Sequence, residues 1–258
     1  MFHYIPSLDL FLYGFLNNLG AILLCIFNLL HIKKKRQIPS RLTKAIINIT
    51  PQKKGHIYAE LFFNLIEIFL ISGLQIAMGG LINSWFGDLC GTGVNYFGTL
   101  FISPALIFVF CIIVGLDVFK QFDLIAPAYP LALTTIKLAC FCQGCCHGIA
   151  FDHGLYNHIT KQLEFPVQLI EAVFAFLIFV FLMKYKKKAK EGTLLPLFVI
   201  LYSVTRFFSE FLRFEENVFW YFKTYHLLCL VGIVVGLIEL LIVIIVNKKR
   251  DKKAKTTQ

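Results

Sequence analysis

The chain has 258 residues, 58% of them hydrophobic and only 16% charged, with a mean hydropathy of +0.73. Soluble domains are about half apolar and about a quarter charged, so this composition excludes an ordinary water-soluble domain and points to lipid as the solvent. The net charge of +10 does not mark a nucleic-acid binder: most lysines and arginines fall in short runs between long apolar stretches, the way membrane proteins carry charge on one side.

A helix that crosses a bilayer needs about 20 mostly apolar residues. The sequence predicts seven such spans, at about 8–31, 59–82, 94–116, 122–145, 166–184, 193–212 and 225–246. The first follows a short stretch with no basic n-region, and no small-residue cleavage site comes after it. No cleavable leader is therefore expected. Basic runs follow span 1 (Lys33–Arg36, Arg41, Lys44, Lys53, Lys54), span 3 (Lys120), span 5 (Lys184, Lys186, Lys187, Lys188, Lys190) and span 7 (Lys248 onward). With seven spans, 20 of the 25 basic residues share one side. The rule that positive loops face the cytoplasm then sets the N-terminus outside and the C-terminus inside. The expected fold is an all-α integral membrane protein with seven transmembrane helices, a single polytopic domain over residues 1–258.

The remaining basic residues, Lys137, Lys161, Arg206, Arg213 and Lys223, lie within spans 4 and 6 or on the outer side. They read either as ion pairs that fix loops or as a site for an anionic lipid headgroup. Span 2 carries Glu60, Asn64 and Glu67 on one face. Span 4 contains Lys137 and runs into Cys140–Gly148, CFCQGCCHG, with four of the chain's eight cysteines. Span 5 opens with Pro166, Gln168 and Glu171; proline suits a first helical turn, where its missing N–H is not needed. In span 6, Tyr202, Arg206, Glu210 and Arg213 are spaced 4, 4 and 3 residues apart and share one helical face. A charge near mid-bilayer costs roughly 2.5–3.5 kcal/mol, and a planar guanidinium matches phosphate with two parallel hydrogen bonds. That stripe is more than one structural ion pair needs. Glu239 in span 7 is a lone carboxylate with no assigned role.

The cysteine run leaves several readings open. A disulfide is possible in an oxidising outer compartment. Zinc could be held by the cysteines with His147, since C-x2-C with a nearby histidine suits tetrahedral ligation. Haem attachment needs C-x-x-C-H, and His147 follows Cys146 out of register. The run could also supply a catalytic thiol, or His147 as a base, or small residues for close helix approach.

Three stretches, DLIAPAYPLALTTIKLACFCQGCCHG, EFPVQLIEAVFAF and LYSVTRFFSEFLR, resemble in order and spacing the bacterial prolipoprotein diacylglyceryl transferase family, over about residues 90–245. The resemblance implies an enzyme of the bacterial cytoplasmic membrane. It would move the diacylglyceryl group of phosphatidylglycerol to the lipobox cysteine thiol of a prolipoprotein, releasing glycerol phosphate. By position, Arg206 corresponds to the family's essential arginine and Glu210 and Arg213 to its partners. Gln168 and Glu171 correspond to the Gln and Glu opening span 5, Asp123 and Pro127 to the start of span 4, and Gly144 and Gly148 to the two signature glycines. Elsewhere the chain departs. The signature's Arg is Lys137, its Asn is Cys140, and its Asn-Gly-Glu is Gln143–Gly144–Cys145. The family's Phe-His-Gly-Gly aligns with Tyr96-Phe97-Gly98-Thr99, which puts Phe97 where the histidine stands.

The expected catalytic residues are therefore Arg206, Lys137, Glu210 and His147. The expected substrate contacts are Arg213, Tyr202, Gln168, Glu171, Gln143, Gly144, Cys145 and Gly148. No metal or cofactor is expected. The expected partners are phosphatidylglycerol, a prolipoprotein lipobox peptide and the membrane, and not nucleic acid. Two further readings stay open: a paralogue acting on another lipid or acceptor, and a non-enzymatic lipid-binding or thiol-redox membrane protein.

Overall fold

The computed structural model describes residues 117–214 and 222–256, with scattered helical residues between 100 and 112. Spans 8–31 and 59–82, with Glu60, Asn64 and Glu67, lie outside the described residues, as do Tyr96 and Phe97 and most of span 94–116. The chain divides near Leu124 into two compact units.

Helix α1 (Val118–Ile125) starts at Asp117, whose Oδ1 accepts the backbone N–H of Phe119 at 3.0 Å, an ordinary N-cap. Ala126 and Pro127 form a turn, and α2 runs over Ala128–Gln143. Proline has no N–H to donate and clashes with the preceding turn, so predicted span 4 is two helices. The end of α2 is a Schellman motif. Gly144 takes the left-handed φ of 77°, its N–H bonds Phe141 O at 3.1 Å, and the Cys145 N–H bonds Cys140 O at 3.2 Å.

A two-stranded antiparallel hairpin follows, β1 (Ala150–Asn157) and β2 (Gln162–Glu164). The fold is mostly helical rather than all-helical: the segment between predicted spans 4 and 5 satisfies its backbone groups as a ladder. Helix α3 (Val167–Tyr185) begins after Pro166. Helix α4 (Leu194–Glu210) follows a turn that includes Gly192 at φ 86°. Helix α5 (Thr224–Thr256) is the longest described helix, at 33 residues.

Three segments are long and apolar enough to cross a membrane: Val118–Gln143, Val167–Tyr185 and Thr224–Lys252. The exposed sides of α3 and α5 are made of Val173, Phe176, Leu177, Leu230, Val234 and Leu241, a face that suits lipid rather than water. Helix α4 is not among the three. Its 17 residues reach about 26 Å, short of a hydrocarbon core of about 30 Å, and it carries Arg206 and Glu210. Packing, not hydropathy, places it. Tyr129 of α2 stacks on Phe198 of α4 with ring centroids 5.7 Å apart. Gly236 of α5 lets α4 approach so closely that a Cβ there would lie 2.7 Å from Ile200 Cγ1.

Candidate functional site

The stripe on α4 turns inward. Tyr202, Arg206, Ser209 and Glu210 are all buried, and Glu210 has no exposed surface. Burying a charge is costly unless it is paired, and the partners come from the two neighbouring helices.

Glu171 of α3 is the hub. Its carboxylate accepts from Arg206 Nη1, from Ser209 Oγ at 2.9 Å and from Lys137 Nζ of α2 at 2.6 Å. Arg206 forks onward, with Nη2 2.7 Å from Glu210 Oε2, and its guanidinium lies 5.5 Å from the centre of the Tyr225 ring. Arg213 Nε reaches Glu210 Oε2 at 4.0 Å. Lys223 Nζ donates to the carbonyls of Glu210 and Arg213 at 2.7 and 2.5 Å. There it caps the carbonyl end of α4, where a cation is favoured. His226 Nδ1 accepts the Lys223 N–H at 3.0 Å at the start of α5, the N3-to-N-cap half of a capping box.

A small cavity borders the cluster, lined by Leu133, Lys137, Glu171, Tyr202, Thr205 and Arg206. Among the described residues, the cluster holds four buried cationic side chains (Lys137, Arg206, Arg213, Lys223) and two buried carboxylates (Glu171, Glu210), of which Lys137, Arg206 and Glu171 line the cavity. With these groups charged, the described cluster carries an excess of two positive charges, and the cavity wall itself, with Lys137 and Arg206 against Glu171, an excess of one. Such a cluster is suited to an anion, and the planar guanidinium of Arg206 at the cavity to a phosphate.

The CFCQGCCHG turn is built differently. Gln168 Nε2 donates to Cys145 O at 2.9 Å, so it holds the turn's backbone. Asn157 Nδ2 donates to Gly144 O at 2.9 Å and to Glu164 Oε2 at 2.8 Å. Gly148 is pinned between strands of chain. Phe214 N–H bonds His147 O at 3.2 Å, Ile149 N–H bonds Leu212 O at 3.0 Å, and Phe165 N–H bonds Ile149 O at 3.0 Å. A Cβ on Gly148 would lie 2.2 Å from Phe165 O and 2.9 Å from Leu212 O. The glycines therefore shape the backbone here. Gln143 Oε1 is buried without a hydrogen-bond partner among the described residues.

His147 faces Glu164, with Nδ1 3.3 Å from Oε1, and stacks on Phe214 at 5.4 Å. Among the described residues no hydrogen bond or ion pair joins it to Lys137, Glu171 or Arg206. Among the described residues, Cys140, Cys142, Cys145 and Cys146 are not joined in a disulfide. The Sγ atoms of Cys140, Cys145 and Cys146 lie within 4.8 Å of one another.

Of the expected residues, the structure brings Lys137, Glu171, Tyr202, Arg206, Glu210 and Arg213 into one buried region. Gln168, Gly144, Cys145 and Gly148 meet in the turn instead. Sequence reasoning missed Ser209, a hydroxyl three residues after Arg206 in an apolar helix. It reads Lys223 as a cation that fixes a loop by an ion pair or binds a headgroup and misses its role as a cap, although a lysine shortly after a helix end is a capping signal.

Residues 1–243 match the family described as prolipoprotein diacylglyceryl transferase. Individual relatives carry the name phosphatidylglycerol–prolipoprotein diacylglyceryl transferase. One, from Clostridium tetani (strain Massachusetts / E88), is 32% identical over 48% of this chain and 53% of its own length. Another, numbered 2 in Clostridium perfringens (strain 13 / Type A), is 29% identical over 80% of each chain. A third, from Clostridioides difficile (strain 630), is 26% identical over 90% of each. The chain thus spans about half the length of the first relative and most of the other two.

Proposed function

The chain belongs to the prolipoprotein diacylglyceryl transferase family, and from that premise we propose that it transfers the diacylglyceryl group of phosphatidylglycerol to a prolipoprotein's lipobox cysteine. It works as a multi-pass protein of the bacterial cytoplasmic membrane, with seven spans, the N-terminus outside and the C-terminus in the cytoplasm. The observation that carries the reading is the buried cation excess around Arg206. Among the described residues, four cationic side chains stand against two carboxylates, which suits a phosphodiester on entering and a phosphate ester on leaving.

In the reaction a carbon–sulfur bond forms to the glycerol carbon that bears the phosphate ester. The carbon–oxygen bond breaks, and glycerol phosphate departs with the electron pair. The thiol proton goes to a base. Arg206 and Lys137 stabilise the charge that grows on the leaving phosphate, the use of fixed donors where charge develops. Glu171 and Glu210 position them. Both carboxyl oxygens of Glu171 are already engaged by donors, so it acts as a holder of the two cations. Tyr202 and Arg213 border the same region and complete the headgroup contacts. Gln168 supports the turn from behind.

The test is a transfer assay in vesicles with acyl-labelled phosphatidylglycerol and a single-cysteine lipobox peptide. Label on the peptide is expected, with Arg206→Ala lowering transfer at least about 100-fold, the scale of losing one preorganised donor. No label from this chain, with a relative active alongside, would sink the reading. Transfer to a different thiol acceptor only would favour the paralogue.

A further inference from the structure

Cys140, Cys145 and Cys146 take no part in the phosphate site, and their arrangement has its own logic. We propose that these three thiols form a binding site for copper(I). Three sulfurs from one short stretch converge because the Schellman turn at Gly144 reverses the chain. That reversal brings Cys145 and Cys146 back over the last turn of α2, which carries Cys140.

The geometry is close to a metal's requirement. A metal–sulfur bond of about 2.3 Å puts three sulfurs in a trigonal plane about 4.0 Å apart. The three Sγ atoms already lie within 4.8 Å of one another, so closure needs shifts under about 1 Å by that same bond length. Cys140 is buried, while Cys145 and Cys146 are partly exposed, which leaves an approach for the ion.

Backbone strain supports the same assignment. Cys146 sits at φ 56°, a left-handed conformation that is strained for a non-glycine residue. Glycine or asparagine would occupy it with less strain. Held there, Cys146 contributes its sulfur to the cluster.

The donor set selects the metal. Structural zinc takes four ligands, and among the described residues no other His, Cys, Asp or Glu joins the three sulfurs. His147, the natural fourth ligand by sequence, faces Glu164 and Phe214. Thiolates are soft ligands that suit copper(I), zinc and iron–sulfur clusters, and of these copper(I) is the one satisfied by three sulfurs. Binding is a proton exchange: three thiols and one copper(I) give a tris-thiolate complex of charge −2 and three protons released to buffer. No oxidant is involved. Lys137, one turn before Cys140, interacts electrostatically with both Cys140 and Cys146 and offsets part of that charge. Because protons are released, affinity rises with pH.

The full chain in detergent micelles, reduced and anaerobic, is titrated with copper(I) against a chromogenic copper(I) chelator. One copper per chain is expected to be withheld, more tightly at pH 8 than at pH 7. Cys145→Ser and Cys146→Ser are each expected to weaken retention by more than about 100-fold, beyond the range for outer-shell changes, while Cys142→Ser retains it. Alkylation of the wild-type protein mapped by mass spectrometry gives a second readout that needs no variant to fold. Copper(I) shields Cys140, Cys145 and Cys146 and leaves Cys142 open. Copper withheld equally by Cys145→Ser, unshielded thiols at these three positions, or zinc(II) held more tightly than copper(I) would each overturn the assignment.

Discussion

Lys137 and Cys140 stand one turn apart on α2, yet they open onto regions built in different ways. Around Lys137, side chains do the work: Glu171, Arg206, Ser209 and Glu210 position one another by charge and hydrogen bond. After Cys140, the backbone does it. Gln168 and Asn157 grip carbonyls, and Gly144 and Gly148 make room for chain to approach chain. In the first region, changing a side chain changes the structure. In the second, side chains can vary wherever their backbone position is preserved. That difference explains how a turn that keeps both glycines can carry cysteines where the family signature has other polar groups.

The largest effect should come from the first region. Glu171→Ala removes the partner of two buried cations and an acceptor of Ser209. Breaking a buried ion pair on one side costs about 3–5 kcal/mol, so thermal unfolding in micelles should show a severe loss of stability. A shift equal to that of an exposed substitution would mean that water or other groups satisfy Lys137 and Arg206 and that the side-chain account of this region is wrong.

Gly148→Ala tests the second region where it is tightest. The added Cβ meets two backbone carbonyls, and neither can swing away as a flexible side chain would. Overpacking of this kind costs about 1–3 kcal/mol. Unfolding should move accordingly, and the 147–149 and 212–214 amides should exchange faster with deuterium. Asn157→Ala ranks next. It strips a donor from Gly144 O and from Glu164, a loss of about 1–2 kcal/mol for buried acceptors left unmade. Faster exchange confined to the hairpin and turn is the expected signature, and an effect spread to α4 would blur the contrast.

Much of the first region was readable because charge in an apolar helix is conspicuous. Tyr202, Arg206, Glu210 and Arg213 fall on one face by their spacing alone. Lys137 stands out as one of five cations suited to a headgroup, and Gln168 and Glu171 as polar residues opening span 5, but their matching to Arg206 comes with the family resemblance, since nothing in a local pattern says that α2 and α3 pack beside α4. Lys223 was visible as a cation but not as a cap, because its acceptors are main-chain carbonyls, which every residue has. The hairpin was hidden for the same reason: its ladder and the Gly148–Arg213 bridge are backbone bonds across a stretch that reads only as a loop. Helix α4 reads as a span from its apolar residues, and its charges make it one packed among neighbouring helices more than a lipid-facing one.

The smallest effect is also the most discriminating. Cys145 lies at the centre of the turn, but what Gln168 holds is its carbonyl, at 2.9 Å. The Cys145 thiol donates a weak bond to Cys140 O at 3.7 Å and otherwise lies against the Cys140 and Cys146 thiols among the described residues. Serine in its place keeps a small side chain with a donor and leaves the backbone untouched. Cys145→Ser should therefore change stability by less than about 0.5 kcal/mol, the range of substitutions that break no named contact. Gln168→Ala, which releases the same carbonyl, should lose about 1 kcal/mol, the net worth of one hydrogen bond. The two unfolding curves read side by side decide the matter. If the serine variant falls further than the alanine one, the thiol itself is structural, and the turn belongs with the Arg206 cluster as a region fixed by its side chains.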